Sequence, residues 1–348
     1  MDKMIGKNPR WKKFACICGA ALLLAGCTQT VPSQADINSS SVSSSLESSQ
    51  SLQSSEYSQS SPSPYSSSNS SPSKSSRFEN WDGTPFLTLD SYPKMDGSTA
   101  NLPLMAQVLH ETTGISMEEA EVLSSQCSTT PLAWEALARG DSDILLVYEA
   151  AESTKASIDM DELEITPVGR DALVFINNEE NPVDSLTGQQ IIDIYSGKIT
   201  NWKDLGGNEQ EIVAYQRDET SGSQSLFAKL VMKDTPLMEA PTELKPAGMG
   251  MLIDGLASYR NEGNALGYSV FYYASYMYSQ PGLRLMAVDG VFPSDETIAD
   301  GSYPYLNDFF VAIRADAPED SPSRILRDWI LSPSGKQAII DAGYIPVP

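Results

Sequence analysis

Two short stretches carry residues suited to holding an anion. One is Asp96-Gly97-Ser98-Thr99 and the other is Arg217-Asp218-Glu219-Thr220-Ser221-Gly222-Ser223. Each places hydroxyls and backbone N–H groups where a helix is predicted to begin. The first turn of a helix has unpaired donors and a partial positive charge, which suits an oxyanion. Arg217 adds a permanently charged partner capable of bidentate contact. Gly97 and Gly222 allow close backbone approach to a ligand. A third stretch, Ser128-Thr129-Thr130, has the same form. Serine and threonine are also the commonest N-caps, so capping accounts for any one corner alone. Three such starts, each following or flanking a strand, point to a shared site.

Other chemistry is scarce. His110 is the one histidine, which excludes a multi-histidine metal centre and makes any Ser-His-Asp triad depend on that residue. No metal or cofactor is expected. A phosphoester hydrolase using Ser221 or Ser98 as nucleophile is an alternative, but no base sits at a recognisable spacing and metal ligands are few. His110 reads as a solvated helix-end residue and Cys127 as a partly buried, inert thiol. The run Tyr268-Ser269-Val270-Phe271-Tyr272-Tyr273, with Tyr276 and Tyr278, reads as packing. Asp159, Asp161, Glu162 and Glu164 lack the turn glycine of a calcium loop and read as a solvated face.

The elements needed to position these corners alternate in type. Strands are predicted over Phe86–Leu89, Ile144–Tyr148, Ala172–Asn177, Ile212–Tyr215, Leu283–Val288 and Phe309–Arg314. Helices are predicted over Leu102–Thr112, Leu132–Arg139, Thr187–Ser196, Ser223–Met232, Gly250–Arg260, Arg324–Leu331 and Ser334–Ala342. This is the pattern of an α/β protein. The 272 residues of 77–348 suffice for two lobes and a sizeable core.

The remainder of the chain is of other kinds. Lys3, Lys7, Arg10, Lys12 and Lys13 precede a short apolar run, Phe14 to Ala25, that ends Leu24-Ala25-Gly26-Cys27. The run is shorter than the roughly 20 residues a membrane span needs and reads as a secretory signal. Its ending resembles the lipobox of bacterial lipoproteins, which makes 1–27 a signal segment and Cys27 the lipidated (palmitate-type) N-terminus. With Cys16 and Cys18 removed, Cys127 alone remains and no disulfide framework is possible. Between Ser39 and Ser76, 23 of 38 residues are serine. Such a segment cannot bury enough apolar surface to fold, so 28–76 reads as a flexible tether with a reach of roughly 40 Å. A surface adhesin that uses this segment as a stalk is a further alternative. The formal net charge is −23, and removal of 1–27, with five basic residues and one acid, makes it −27. That excludes a nucleic-acid partner, which needs Lys and Arg to neutralise phosphates.

At the corner residues the chain resembles the phosphate-binding proteins of bacterial ABC transporters. The most specific piece is Ile194-Tyr195-Ser196-Gly197-Lys198-Ile199-Thr200-Asn201-Trp202-Lys203-Asp204-Leu205-Gly206-Gly207, joined by Arg217–Ser223 and by Gly335-Lys336-Gln337 through Ala342-Gly343-Tyr344-Ile345-Pro346. The resemblance covers nearly all of 84–348. It implies a two-lobed periplasmic-binding-protein fold (type II) with the ligand cleft between lobes. Lobe one is expected at 84–168 and 281–348, and lobe two at 169–280. Ligand contacts are implied at Ser98, Thr99, Ser128 or Thr129, Arg217, Ser221, Gly222 and Ser223, with Glu219 steadying Arg217. The family's aspartate, which accepts the ligand's proton and excludes sulfate, falls on Glu149, one methylene longer. The implied function is an outward-facing, membrane-anchored monomer that binds inorganic phosphate and passes it to the permease subunits of an importer, without catalysis. Another tetrahedral oxyanion, or phosphate sensing without transport, are the binding alternatives.

Overall fold

The computed structural model describes residues 77–258 and 263–348. The expected signal segment with Cys27 and the tether 28–76 lie outside the described residues. The first strands and helices of the described residues are β1 (Met95–Gly97), α1 (Leu102–Thr113), α2 (Met117–Leu123), α3 (Thr130–Arg139), β2 (Ile144–Tyr148) and α4 (Glu152–Ser157). Then come β3 (Leu163–Asn178), β4 (Ser185–Leu186), α5 (Gly188–Tyr195), β5 (Val213–Ala214), α6 (Gly222–Phe227) and α7 (Met249–Ala257). The last part holds β6 (Ala265–Val270), β7 (Leu283–Leu285), β8 (Ala287–Val288), α8 (Asp295–Ala299), β9 (Leu306–Arg314), α9 (Pro322–Ile330), α10 (Pro333–Asp341) and β10 (Ile345–Pro346). Local sequence explains many of the boundaries. Prolines sit in the first turns of α1, α3, α9 and α10, where a missing N–H costs nothing. Gly114 and Gly140 end α1 and α3 in the left-handed region. β2 is wholly apolar or aromatic and wholly buried, as a central strand should be.

Strand β3 organises the sheet, whose order is β1-β2-β9-β3-β6-β5. From Leu163 to Ala172 it pairs antiparallel with β9, with an irregularity between Pro167 and Gly169. From Leu173 to Asn177 it pairs antiparallel with β6, and its last residues also pair with β7. One strand thus serves two half-sheets, and the change of partner falls at Ala172–Leu173. The expected return to the first half at residue 281 is corrected: β7 lies on the second half of β3, and β8 pairs with β4. Arg284 explains this. Its guanidinium donates to the Asn177 side chain at 3.2 Å and to the Val183 carbonyl at 2.8 Å, which holds β7 to that side. The chain returns through β9.

The predicted strand at Phe86–Leu89 is irregular chain that runs into a short 3-10 helix at Leu89–Ser91 instead. The N–H groups of Phe86 and Leu87 both reach the Thr112 carbonyl at 3.1 Å, finishing α1, and the Phe86 ring packs against Phe78. The edge position beside β2 is taken by β1. The expected solvated acidic face is also corrected at one position. Glu164 accepts from Arg324 at 3.0 Å and pairs with Arg327, clamping α9 to β3. Among the described residues no helix is long and apolar enough to cross a membrane, and no cluster of potential metal ligands occurs.

Where β3 changes partners, a carboxylate is sealed from water. Asp171 is 2% exposed and accepts from the Tyr148 hydroxyl at 2.6 Å, its neighbour Ala172 N–H at 2.7 Å and the Tyr272 N–H at 3.1 Å. Directly opposite on β9 is Asn307. Burial pushes the Asp171 carboxyl up to about 6, against the hydrogen bonds that favour its charge. A raised pKa means that the folded chain holds this proton more tightly than the unfolded chain. Its contribution to stability is therefore full below about pH 4 and lost as pH rises through about 6. In urea denaturation, Asp171→Asn should gain on the unmodified chain by on the order of 2 kcal/mol between about pH 4 and pH 7. A difference that stays flat across that window counts against this account.

Candidate functional site

The three hydroxyl-rich corners meet. Ser98 precedes α1, and its hydroxyl lies 2.7 Å from that of Thr130, the first residue of α3. Gly222, the first residue of α6, lies against the same threonine: a Cβ added there would sit 2.8 Å from Thr130 Oγ1. The starts of α1, α3 and α6 thus converge on Thr130. Each start brings unpaired N–H donors and the positive end of a helix dipole, so their meeting favours a negative charge among them. Helix α6 has added weight because a wider helical turn, Ala228–Met232, continues it without a break.

The nearby carboxylates are each engaged by other donors. Asp96 accepts the N–H groups of Gly97 at 2.7 Å and Ser128 at 2.8 Å. Asp218 accepts the N–H and hydroxyl of Thr220, which hold its carboxyl below the usual range. Glu149 is committed to two lysines, with Lys155 Nζ at 2.7 Å and Lys229 Nζ at 2.5 Å. Burial alone would push the Glu149 pKa up, but the two ammonium groups outweigh it and the net shift is downward.

The predicted residues divide by what they touch. Ser98 is nearly sealed, and its hydroxyl is already held by Thr130 and by the Tyr148 N–H at 3.0 Å. The Thr99 hydroxyl takes only a weak contact from the Cys127 thiol, at 3.7 Å. Ser128 and Thr129 are exposed. Thr129 has φ 78 and ψ 163, a backbone conformation that suits glycine and strains a β-branched residue. Ser221 caps α6 by accepting from the Gln224 N–H at 3.3 Å. Ser223 is 4% exposed, and its hydroxyl has no hydrogen-bond partner among the described residues. Arg217 is 8% exposed and donates to the carbonyls of Pro246 and Ala247, both at 2.9 Å. Burial lowers its pKa, partly offset by Tyr268, Tyr273 and Asp218.

Three expectations need correction. Glu219 does not steady Arg217; it is exposed, and the two carbonyls do that work. Gly97 serves the fold rather than a ligand: a Cβ there would lie 1.8 Å from the Leu146 carbonyl oxygen, inside the β1–β2 pairing. Glu149 does not present a free carboxylate. Sequence reasoning also passed over three contributors. Thr130 is the node of the site, Gln224 accepts the Arg217 N–H at 2.9 Å, and Lys229 reaches Glu149. Thr130 belonged to a recognised hydroxyl triplet, but nothing local signals the other two.

A family model described as a PBP superfamily domain matches residues 88–331. The phosphate-binding protein PstS of Bacillus subtilis is 27% identical over 209 residues, which is 60% of this chain and 64% of that relative, so the chain spans just under two thirds of its length. Among solved structures, a putative phosphate ABC transporter substrate-binding protein with bound phosphate from Clostridium perfringens is 25% identical with a TM-score of 0.56, covering 73% of this chain and 98% of that one. An ABC-type phosphate transport receptor from Vibrio cholerae is 24% identical with a TM-score of 0.54, covering 72% and 98%. A mixed α/β chain with one strand shared by two half-sheets, matched over most of its folded part by that family model, belongs to the PBP superfamily.

Proposed function

We propose that the chain is an extracytoplasmic solute-binding lipoprotein that holds inorganic phosphate in the cleft between its lobes and delivers it to the permease of an ABC importer. Lobe one comprises about 84–168 with the chain from β9 onward, and lobe two the part between. The observation that carries this reading is the meeting of three helix starts on Thr130, with the Ser223 hydroxyl buried and unpartnered beside them. Unpaired donors in a dry site gain most from an acceptor-rich anion. The PstS relatives and phosphate receptors support phosphate as that anion. Thr99, Ser128, Thr129, Ser221 and Gly222 complete the donor set, and Arg217 supplies the cation. No bond of the ligand is broken, so no catalysis is required. The signal segment, Cys27 and the tether 28–76 anchor the domain on the outer face of the membrane.

One observation favours a wider ligand range. Glu149 is bound by two lysines, so it does not repel a fully deprotonated dianion as a free carboxylate would. Another tetrahedral oxyanion such as sulfate is the second reading.

Titration calorimetry of the full chain, stripped of anion, tests binding. Heat with phosphate is expected, and its absence at millimolar ligand contradicts the reading. Ser223→Ala should weaken phosphate about 10-fold, the cost of one hydrogen bond to a charged ligand, and Arg217→Ala should abolish the heat. Competition by sulfate would move the assignment to the second reading. Thr129→Gly relieves the strained backbone and should raise thermal stability by about 1 kcal/mol while weakening phosphate. A variant that is less stable and binds unchanged would contradict a ligand role for this strain.

A further inference from the structure

The contact between Lys229 and Glu149 joins parts of the chain that the sheet keeps apart. Glu149 directly follows β2, in the first half-sheet, and the N–H of its neighbour Tyr148 holds Ser98. Lys229 lies in the helical turn that continues α6, about 10 Å along the axis from Ser223. Their charged atoms are 2.5 Å apart across 80 residues of chain. The Glu149 side chain is 14% exposed and that of Lys229 45%. Lys155, on α4, takes the other Glu149 oxygen at 2.7 Å and also reaches exposed Glu152 at 2.7 Å. The network is thus two lysines against two glutamates, and Lys229 is its member from the α6 side.

We infer that Lys229 is a closure residue, a positioning group that latches α6 to the end of β2 through Glu149 and so sets how long the cleft stays shut. Moving α6 away from α3 must part Lys229 from Glu149, leaving a largely buried carboxylate with Lys155 alone. The Glu149 end is largely buried, so parting the pair costs by leaving a desolvated carboxylate with one partner fewer. The pair touches no proposed ligand donor, so it acts by shifting the balance of open and closed forms, and apparent affinity follows the closed fraction. The same contact explains why the Glu149 carboxylate is not free for the ligand contact that the resemblance implies.

The effect on ligand retention rests on the oxyanion reading, but closure itself does not, so two measurements separate them. The first is hydrogen exchange by mass spectrometry on the full chain in anion-free buffer. Lys229→Met should speed exchange in peptides covering 98–101 and 221–225 and leave the β3 core unchanged, while Lys229→Arg behaves as the unmodified chain. The second is phosphate release by stopped flow. Lys229→Met should weaken phosphate about 5-fold, with the loss in the release rate, and 1 M salt should narrow the gap between the two proteins. Unchanged exchange in Lys229→Met overturns the latch, as does an arginine variant that fails like methionine. If the unmodified chain binds no phosphate, the function falls, and the exchange experiment still decides the latch.

Discussion

Strand β3 has to satisfy two half-sheets at once, and the site follows from that constraint. Its first part is fixed by β9 and its last part by β6 and β7. A strand that changes partners places the elements packed on each half close together at the point of change. There Asp171 gathers the Tyr148 hydroxyl from the end of β2 and the Tyr272 N–H from just beyond β6. Tyr148 also positions Ser98 through its N–H, so the junction and the proposed anion corner share a residue. Tyr344 extends this connection. Its ring stacks on Tyr272 at 3.6 Å, and its hydroxyl donates to the Ala100 carbonyl at 2.7 Å, beside Thr99. The C-terminal segment is thereby part of the site's support.

A chain of net charge −23 can hold an anion if recognition is local. Helix starts, hydroxyls and one guanidinium act over a few ångströms, where they outweigh charges spread over the surface. The arrangement around Thr130 suits that need, and the acids near it already accept from N–H groups, hydroxyls or lysines. The division between Ser98 and Ser223 is informative. The Ser98 hydroxyl is spent on holding two corners together, whereas the Ser223 hydroxyl is sealed and has no partner among the described residues. Two serines in similar motifs therefore have different roles, set by what lies opposite.

Much of this was legible in the sequence. The hydroxyl-rich helix starts, the central strand Ile144–Tyr148 and the capping signals are local, and local chemistry determines them. The fourteen-residue piece beginning at Ile194 identified the family, yet its work is packing. Trp202 is fully buried, and its indole N–H donates to the Asn264 carbonyl at 2.7 Å. What sequence could not show was pairing over distance. Ser98 and Thr130 are 32 residues apart, Glu149 and Lys229 are 80, and Glu164 and Arg324 are 160. A free carboxylate at Glu149 was a fair expectation from type and position. The structure shows it taken by Lys155, six residues on, and by Lys229, 80 residues away. The return through β9 was missed for the same reason, since the role of Arg284 depends on carbonyls from a different loop.

The central claim is that one oxyanion is held jointly by the starts of α1, α3 and α6. The most direct measurement is anomalous diffraction from a crystal of the protein grown with arsenate, a heavier analogue of phosphate. The account predicts a single arsenic peak within hydrogen-bonding reach of the Thr99 corner, the Ser223 hydroxyl and the α6 N-terminus together. A peak that contacts only one of these helix starts, or lies elsewhere on the molecule, would contradict it.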